Sequence, residues 1–161
     1  MSVLAINRKE SKYEAIDFSQ TLRDKVLSLT QRNYGIKDIY HFVRKRYAYG
    51  KDKTENFEKY IYLMQNSKKK VDMLTKSIIG NLIAAQIIHP TTIDELNERR
   101  KFLNFAIVNC NQLITEFQDV ITHFDVDVNV FGSFQKDIDR EIDLIKKWRQ
   151  RDNKLKSHFT G

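Results

Sequence analysis

HPTTIDELNERRKFLNFAIVNCNQLITEFQDVITHF, residues 89–124, decides the fold. Pro90 cannot donate to a helical ladder and restricts the residue before it, so the segment upstream must end by His89. Just beyond, Thr92 and Glu95 have the spacing of a capping box, in which a threonine hydroxyl accepts from the amide three residues later and opens a helix. From there Ile93, Leu96, Leu103, Ile107, Cys110, Ile114, Phe117, Ile121 and Phe124 recur at threes and fours, the period of one helix face. The segment is therefore a long amphipathic helix that begins at a sharp break.

The same period continues on both sides. Upstream, Phe57, Tyr60, Ile61, Met64, Val71, Leu74, Ile78, Leu82 and Ala85 form the apolar side of a helix expected over 52–89, making a hairpin with the one after Pro90. Before it, a helix over 11–32 carries Ile16, Leu22, Val26 and Leu29 and stops near Asn33-Tyr34-Gly35; a short accessory helix over 36–47 follows. Downstream, 125–129 alternates like a strand without a partner and reads as an extended connection. A last helix, from about Gly132 to Lys156, runs through Phe134, Ile138, Ile142, Ile145 and Trp148. Four long helices with one apolar stripe each can bury those stripes only against one another. The expected fold is all-α, an antiparallel up-and-down four-helix bundle with one accessory helix after the first. The bundle is expected to be a single domain over 11–156, between flexible ends at 1–10 and 157–161.

Composition agrees. The 161 residues are 41% hydrophobic and 30% charged, enough for one packed core and too apolar for wholesale disorder. Five glycines and one proline are few for a turn-rich β fold. No apolar run approaches the roughly 20 residues that span a bilayer, and the amino terminus lacks the long apolar stretch of a secretory leader, so a cytoplasmic protein without a membrane partner is expected. The lone cysteine, Cys110, forms no internal disulfide or cysteine-based zinc site, and its place on the apolar stripe makes it a buried, inert thiol.

Several chemistries find no support. The glycines, at 35, 50, 80, 132 and 161, are too scattered for a phosphate-cradling loop. None of His41, His89, His123 and His158 has a glutamate three residues before it, as a di-metal bundle requires. Asp137, Asp139, Glu141 and Asp143 interleave with Lys136, Arg140 and Lys146 and read as a solvated face of local ion pairs. No metal or other cofactor is expected.

What remains is positive charge. Lys and Arg outnumber Asp and Glu by 28 to 21, a formal net charge of +7, so the chain attracts polyanions. Cations gather at Arg44 to Arg46, with Lys51 and Lys53; at Lys68 to Lys70; at Arg99 to Lys101; and at Lys146 to Lys156 around Trp148. Such clusters neutralise phosphates without reading sequence. Trp148 continues the apolar stripe and is expected to anchor the core, with the cations around it facing outward.

Three stretches together, residues 11–35, 89–120 and 126–155, resemble the four-helix-bundle accessory variability determinant family of diversity-generating retroelements. The most specific block is Glu-Ile-x-Leu-Ile-Lys-x-Trp-Arg-x-x-Asp-Asn-Lys, Glu141 to Lys154. A related bundle family, encoded by intervening sequences of ribosomal RNA genes, shares the architecture. The resemblance implies a non-enzymatic, basic homo-oligomer, pentameric in the family's known form. It implies that RNA or DNA and a reverse transcriptase are its partners. Within the matching stretches Arg99, Arg100, Lys101, Lys146, Lys147, Arg149 and Arg151 are the expected contacts. Arg44 and Arg46 join them on charge alone, because residues 36–62 have no counterpart in the resemblance.

Two other readings compete. One is an assembly bundle whose cations only confer solubility. The other follows from Arg151 and His158, whose six-residue separation is similar to the Arg-x(4 to 6)-His pattern of the HEPN ribonucleases, where the pair supplies proton transfer and charge stabilisation.

Overall fold

A computed structural model describes residues 11–38 and 53–159. Four helices make up most of it: α1 (Ser11–Gln31), α2 (Lys53–Ile87), α3 (Ile93–His123) and α4 (Val128–Phe159). They pack in a ring, α1 on α2, α2 on α3, α3 on α4 and α4 back on α1, with no strand among the described residues. The fold is an all-α four-helix bundle.

Side-chain pairs fix the direction of each neighbour. Arg23 reaches Asp72 at 2.8 Å, whereas Tyr34, further along α1's direction, reaches back to Ser67 at 2.9 Å. Lys70 meets Glu116 at 3.2 Å and Asn81 meets Asn109 at 2.8 Å. Arg149 meets Asn104 at 2.7 Å, while Phe134 packs edge-on against Phe117 with ring centres 5.7 Å apart. Lys25 meets Asp137 at 2.9 Å and Arg140 lies over Phe18. Numbers rise on one helix as they fall on the next, so every neighbouring pair is antiparallel.

The anticipated stripes meet on the bundle axis. Leu22, Val26, Val71, Ile78, Leu82, Leu103, Cys110, Ile138, Ile145 and Trp148 are all buried. At the break, Thr92 is extended and its hydroxyl accepts from the Glu95 amide at 3.3 Å. The reciprocal half of the box slips back one residue: Glu95 Oε2 accepts from the amide of Thr91 at 2.7 Å and from its hydroxyl at 2.9 Å. These bonds hold the Glu95 carboxyl below its usual range. Helix α1 ends in a single 3-10 turn, Asn33–Gly35, in which all three residues have positive φ.

Three boundaries move. Residues 36–38 are not helical, Ile36 being extended, so an accessory helix does not begin at 36; positions 39–47 lie outside the described residues. The last helix starts at Val128 rather than at Gly132, because the Asp127 carboxylate accepts the Asn129 amide at 2.9 Å and its carbonyl accepts from Val130 at 3.1 Å. It also takes in 157–159, which the sequence assigns to a flexible tail. Half-buried Leu155 and Phe159 extend the stripe of Trp148 and Asp152, and neither glycine nor proline interrupts the chain before Gly161.

Candidate nucleic-acid interface

The carboxyl-terminal half of α4, residues 144–159, carries six lysines and arginines and a single acid, Asp152. The acid turns inward. Asp152 is 8% exposed, its Oδ2 lies 3.3 Å from Arg99 Nε, and the Arg99 guanidinium sits over the Trp148 ring, 5.4 Å from its centre. The contact is an ion pair without hydrogen-bond alignment. Burial pushes the Asp152 carboxyl above its ordinary range, and Arg99, then Lys12 and Arg100, pull it part of the way back.

Sequestering that acid leaves an outer surface of one sign. Lys146, Lys147, Arg151, Lys154 and Lys156 are exposed and Arg149 is half-buried, tied to Asn104 on α3. Lys147, Arg151, Lys154 and His158 stand at steps of four, three and four, so they form one row along the helix. Arg151 and His158 are both exposed in that row, two turns and about 10.5 Å of helical rise apart.

The remaining expected contacts divide. Arg99 is corrected: at 7% exposure, with its charge spent on Asp152 and Trp148, it is not available to an external phosphate. Its neighbours Arg100, half-buried, and Lys101, exposed, remain on the surface, where Asp94 and Glu98 share the same end of α3. Arg44 and Arg46 lie outside the described residues. Two cations of the Lys68 to Lys70 cluster have partners within the bundle: Lys68 donates to Asn33 in the turn after α1, and Lys70, itself exposed, pairs with Glu116, while Lys69 is exposed. Burial lowers the Lys68 ammonium.

Glu141 overturns a second expectation. It does not belong to a solvated acidic face: it is 0% exposed, and neither carboxylate oxygen has a hydrogen-bond partner among the described residues. Its spacing, three residues after Ile138 and seven before Trp148, was the available signal, because those steps continue the core stripe. Desolvation pushes its carboxyl up to about 9, against a smaller opposing pull from Arg140. Cys110 on α3 is wholly buried, as expected, and burial followed by the Glu141 charge raises its thiol far above the ordinary range. Trp148 is a core anchor, 2% exposed, whose indole Nε1 has no hydrogen-bond partner among the described residues.

No group of three or more His, Cys, Asp or Glu comes together among the described residues. A groove between α2 and α3, lined by Leu63, Met73, Glu116 and His123, is crossed by the Lys70–Glu116 pair and concentrates neither sign of charge. No described helix is long and apolar enough to cross a membrane.

Comparison with protein-family models, with curated proteins and with solved structures finds no match for this chain. The fold and the charge distribution define its class: a four-helix bundle with a cationic strip on the end of its last helix.

Proposed function

We propose that the chain is a non-enzymatic accessory protein that binds nucleic acid through the carboxyl-terminal half of α4. One observation carries the reading: the only acid of residues 144–159 is buried against Arg99, so the exposed charge of that stretch is uniformly positive. Uniform sign matters because an intervening carboxylate would both repel phosphate and pair with the neighbouring cation. Lys146, Lys147, Arg149 and Arg151 supply the contacts, joined by Lys154 and Lys156, with Arg100 and Lys101 on the adjacent end of α3. The resemblance to retroelement accessory bundles adds a reverse transcriptase as protein partner and a pentameric homo-oligomer as working form.

Salt titration tests it. Binding of a labelled 30-nucleotide RNA or DNA should weaken linearly with the logarithm of salt concentration, each neutralised phosphate adding roughly 0.7 to 0.9 to the slope. Absence of binding at low salt overturns the proposal. Cleavage of the RNA that is lost in His158→Ala would show an enzyme instead.

A specific observation favours assembly as a second reading. Ile87, Phe105 and Val108 are 70%, 55% and 50% exposed on α2 and α3. This apolar surface suits contact with another protein chain. A monomeric mass at micromolar concentration, unchanged by Phe105→Glu, would set that reading aside.

A further inference from the structure

Resting on the nucleic-acid reading above, we infer that the end of α4 enters the major groove of duplex DNA. Three features of the strip lead there: its single flanking helix among the described residues, the pattern of its outer face and its lack of exposed stacking rings.

The register of the bundle leaves the end of α4 with one neighbouring helix among the described residues. Lys25 faces Asp137; fourteen residues from each, Ser11 at the start of α1 stands level with Arg151. Asn81 faces Asn109 and Asn104 faces Arg149, so Ile87, the last residue of α2, stands level with Leu103 and Gln150. Beyond residue 151, α4 is therefore flanked among the described residues by α3 alone. It runs about 12 Å further at 1.5 Å per residue. A helix with its side chains is about 10–12 Å across, matching the roughly 12 Å width of the B-DNA major groove.

The exposed residues of that end are ordered in rows. Lys147, Arg151, Lys154 and His158 make one flank, and Arg149 and Lys156 lie on the other side. Between them run Lys146, Gln150, Asn153 and Ser157, again at steps of four, three and four, and all exposed. Ser157 spends its hydroxyl proton on the Lys154 carbonyl, at 3.0 Å. Gln150 and Asn153 thus present uncharged amides on the ridge between cations. Flanking cations suit the two phosphate rails of a groove; ridge amides suit base edges, where Gln and Asn pair with adenine N6 and N7.

Single strands are held differently, by aromatic rings on which bases stack. This strip offers none: Trp148 is 2% exposed and Phe159 is only half-exposed at the helix end. An RNA duplex also fits poorly, because its major groove is too deep and narrow for side chains to read.

The test is anisotropy titration of the full chain with a labelled 20-base-pair DNA duplex, the RNA duplex of the same sequence and one DNA strand, at fixed salt. The DNA duplex should bind at least tenfold tighter than either, and methyl green, a major-groove ligand, should displace the protein where netropsin, a minor-groove ligand, does not. Lys147→Gln with Lys154→Gln, both exposed, should lower the salt slope by about 2. Gln150→Ala with Asn153→Ala should leave that slope unchanged and flatten preference among adenine-containing duplexes. Equal or tighter binding of the RNA duplex or the single strand, or displacement by netropsin alone, overturns the groove assignment while leaving nucleic-acid binding intact. Binding to none of the three probes overturns both.

Discussion

Arg99 and Asp152 face each other across α3 and α4, Nε to Oδ2 at 3.3 Å, with Trp148 beneath the guanidinium. Neither side chain is more than 12% exposed. A buried pair of this kind gains little net stability, because both charges are desolvated to form it, yet removing one partner strands the other. Arg99→Met should therefore cost about 3 kcal/mol in urea unfolding, and Arg99→Met combined with Asp152→Leu should recover most of that loss. Equal destabilisation of the single and double variants would show that the two side chains act independently.

Glu141 predicts how stability depends on pH. Its folded carboxyl titrates at about 9 against 4.5 for the free side chain. A raised acid binds its proton more tightly when folded, so its contribution is complete below pH 4.5 and is lost as pH rises toward 9. Between those limits the unfolding free energy should fall by as much as about 1.4 kcal/mol per pH unit. Denaturant midpoints at pH 6, 7.5 and 9 check this, and Glu141→Gln should flatten the trend. A slope that survives the substitution would place its origin elsewhere.

The apolar periods and the Pro90 break were sufficient for the helices and their order, because a stripe at threes and fours has only one way to be buried in a chain this short. The charged residues were harder to place. Arg99 and Asp152 belong to different helices, and whether each turns inward depends on α3 meeting α4 at that level, which no local pattern encodes. Glu141 could have been placed by its spacing from Ile138 and Trp148; its charge and its acidic neighbours concealed it. The first residues of α4 were missed for a local reason: the capping role of Asp127 was hidden in an alternation resembling a strand.

Tyr34 combines backbone cost with side-chain gain. At φ 57° it occupies the left-handed region, unfavourable for a residue with a Cβ by about 1–2 kcal/mol. Its ring is 2% exposed against Phe124 and Phe131, and its hydroxyl hydrogen-bonds Ser67 at 2.9 Å. Burial pushes the phenol up to about 12, so it stays protonated throughout the working range. Tyr34→Phe should cost about 1–2 kcal/mol, because Ser67 loses its partner, whereas Tyr34→Ala should cost about 3–5 kcal/mol by opening a cavity. Thermal and urea unfolding distinguish the two; a smaller loss for Ala than for Phe would mean that burial of the ring contributes less than its hydrogen bond to Ser67.

Two cation clusters that look alike in sequence should separate in experiment. Lys68 closes the α1 turn through Asn33 and Lys70 pairs with Glu116, so both charges already have partners in the fold. Lys147, Arg151 and Lys154 form an exposed row, and Asp152, the acid beside Arg151 and Lys154, is turned away. Lys68→Gln with Lys70→Gln should lower the unfolding midpoint and leave the salt slope of nucleic-acid binding within about 0.5 of the original. Neutralising Lys147, Arg151 and Lys154 together should do the reverse, reducing the slope by about 2.7, roughly 0.9 for each phosphate that no longer meets a cation, with little change in unfolding. If the first pair alters the slope as much as the second set, the α2 cluster belongs to the binding surface and the division drawn from its internal partners fails.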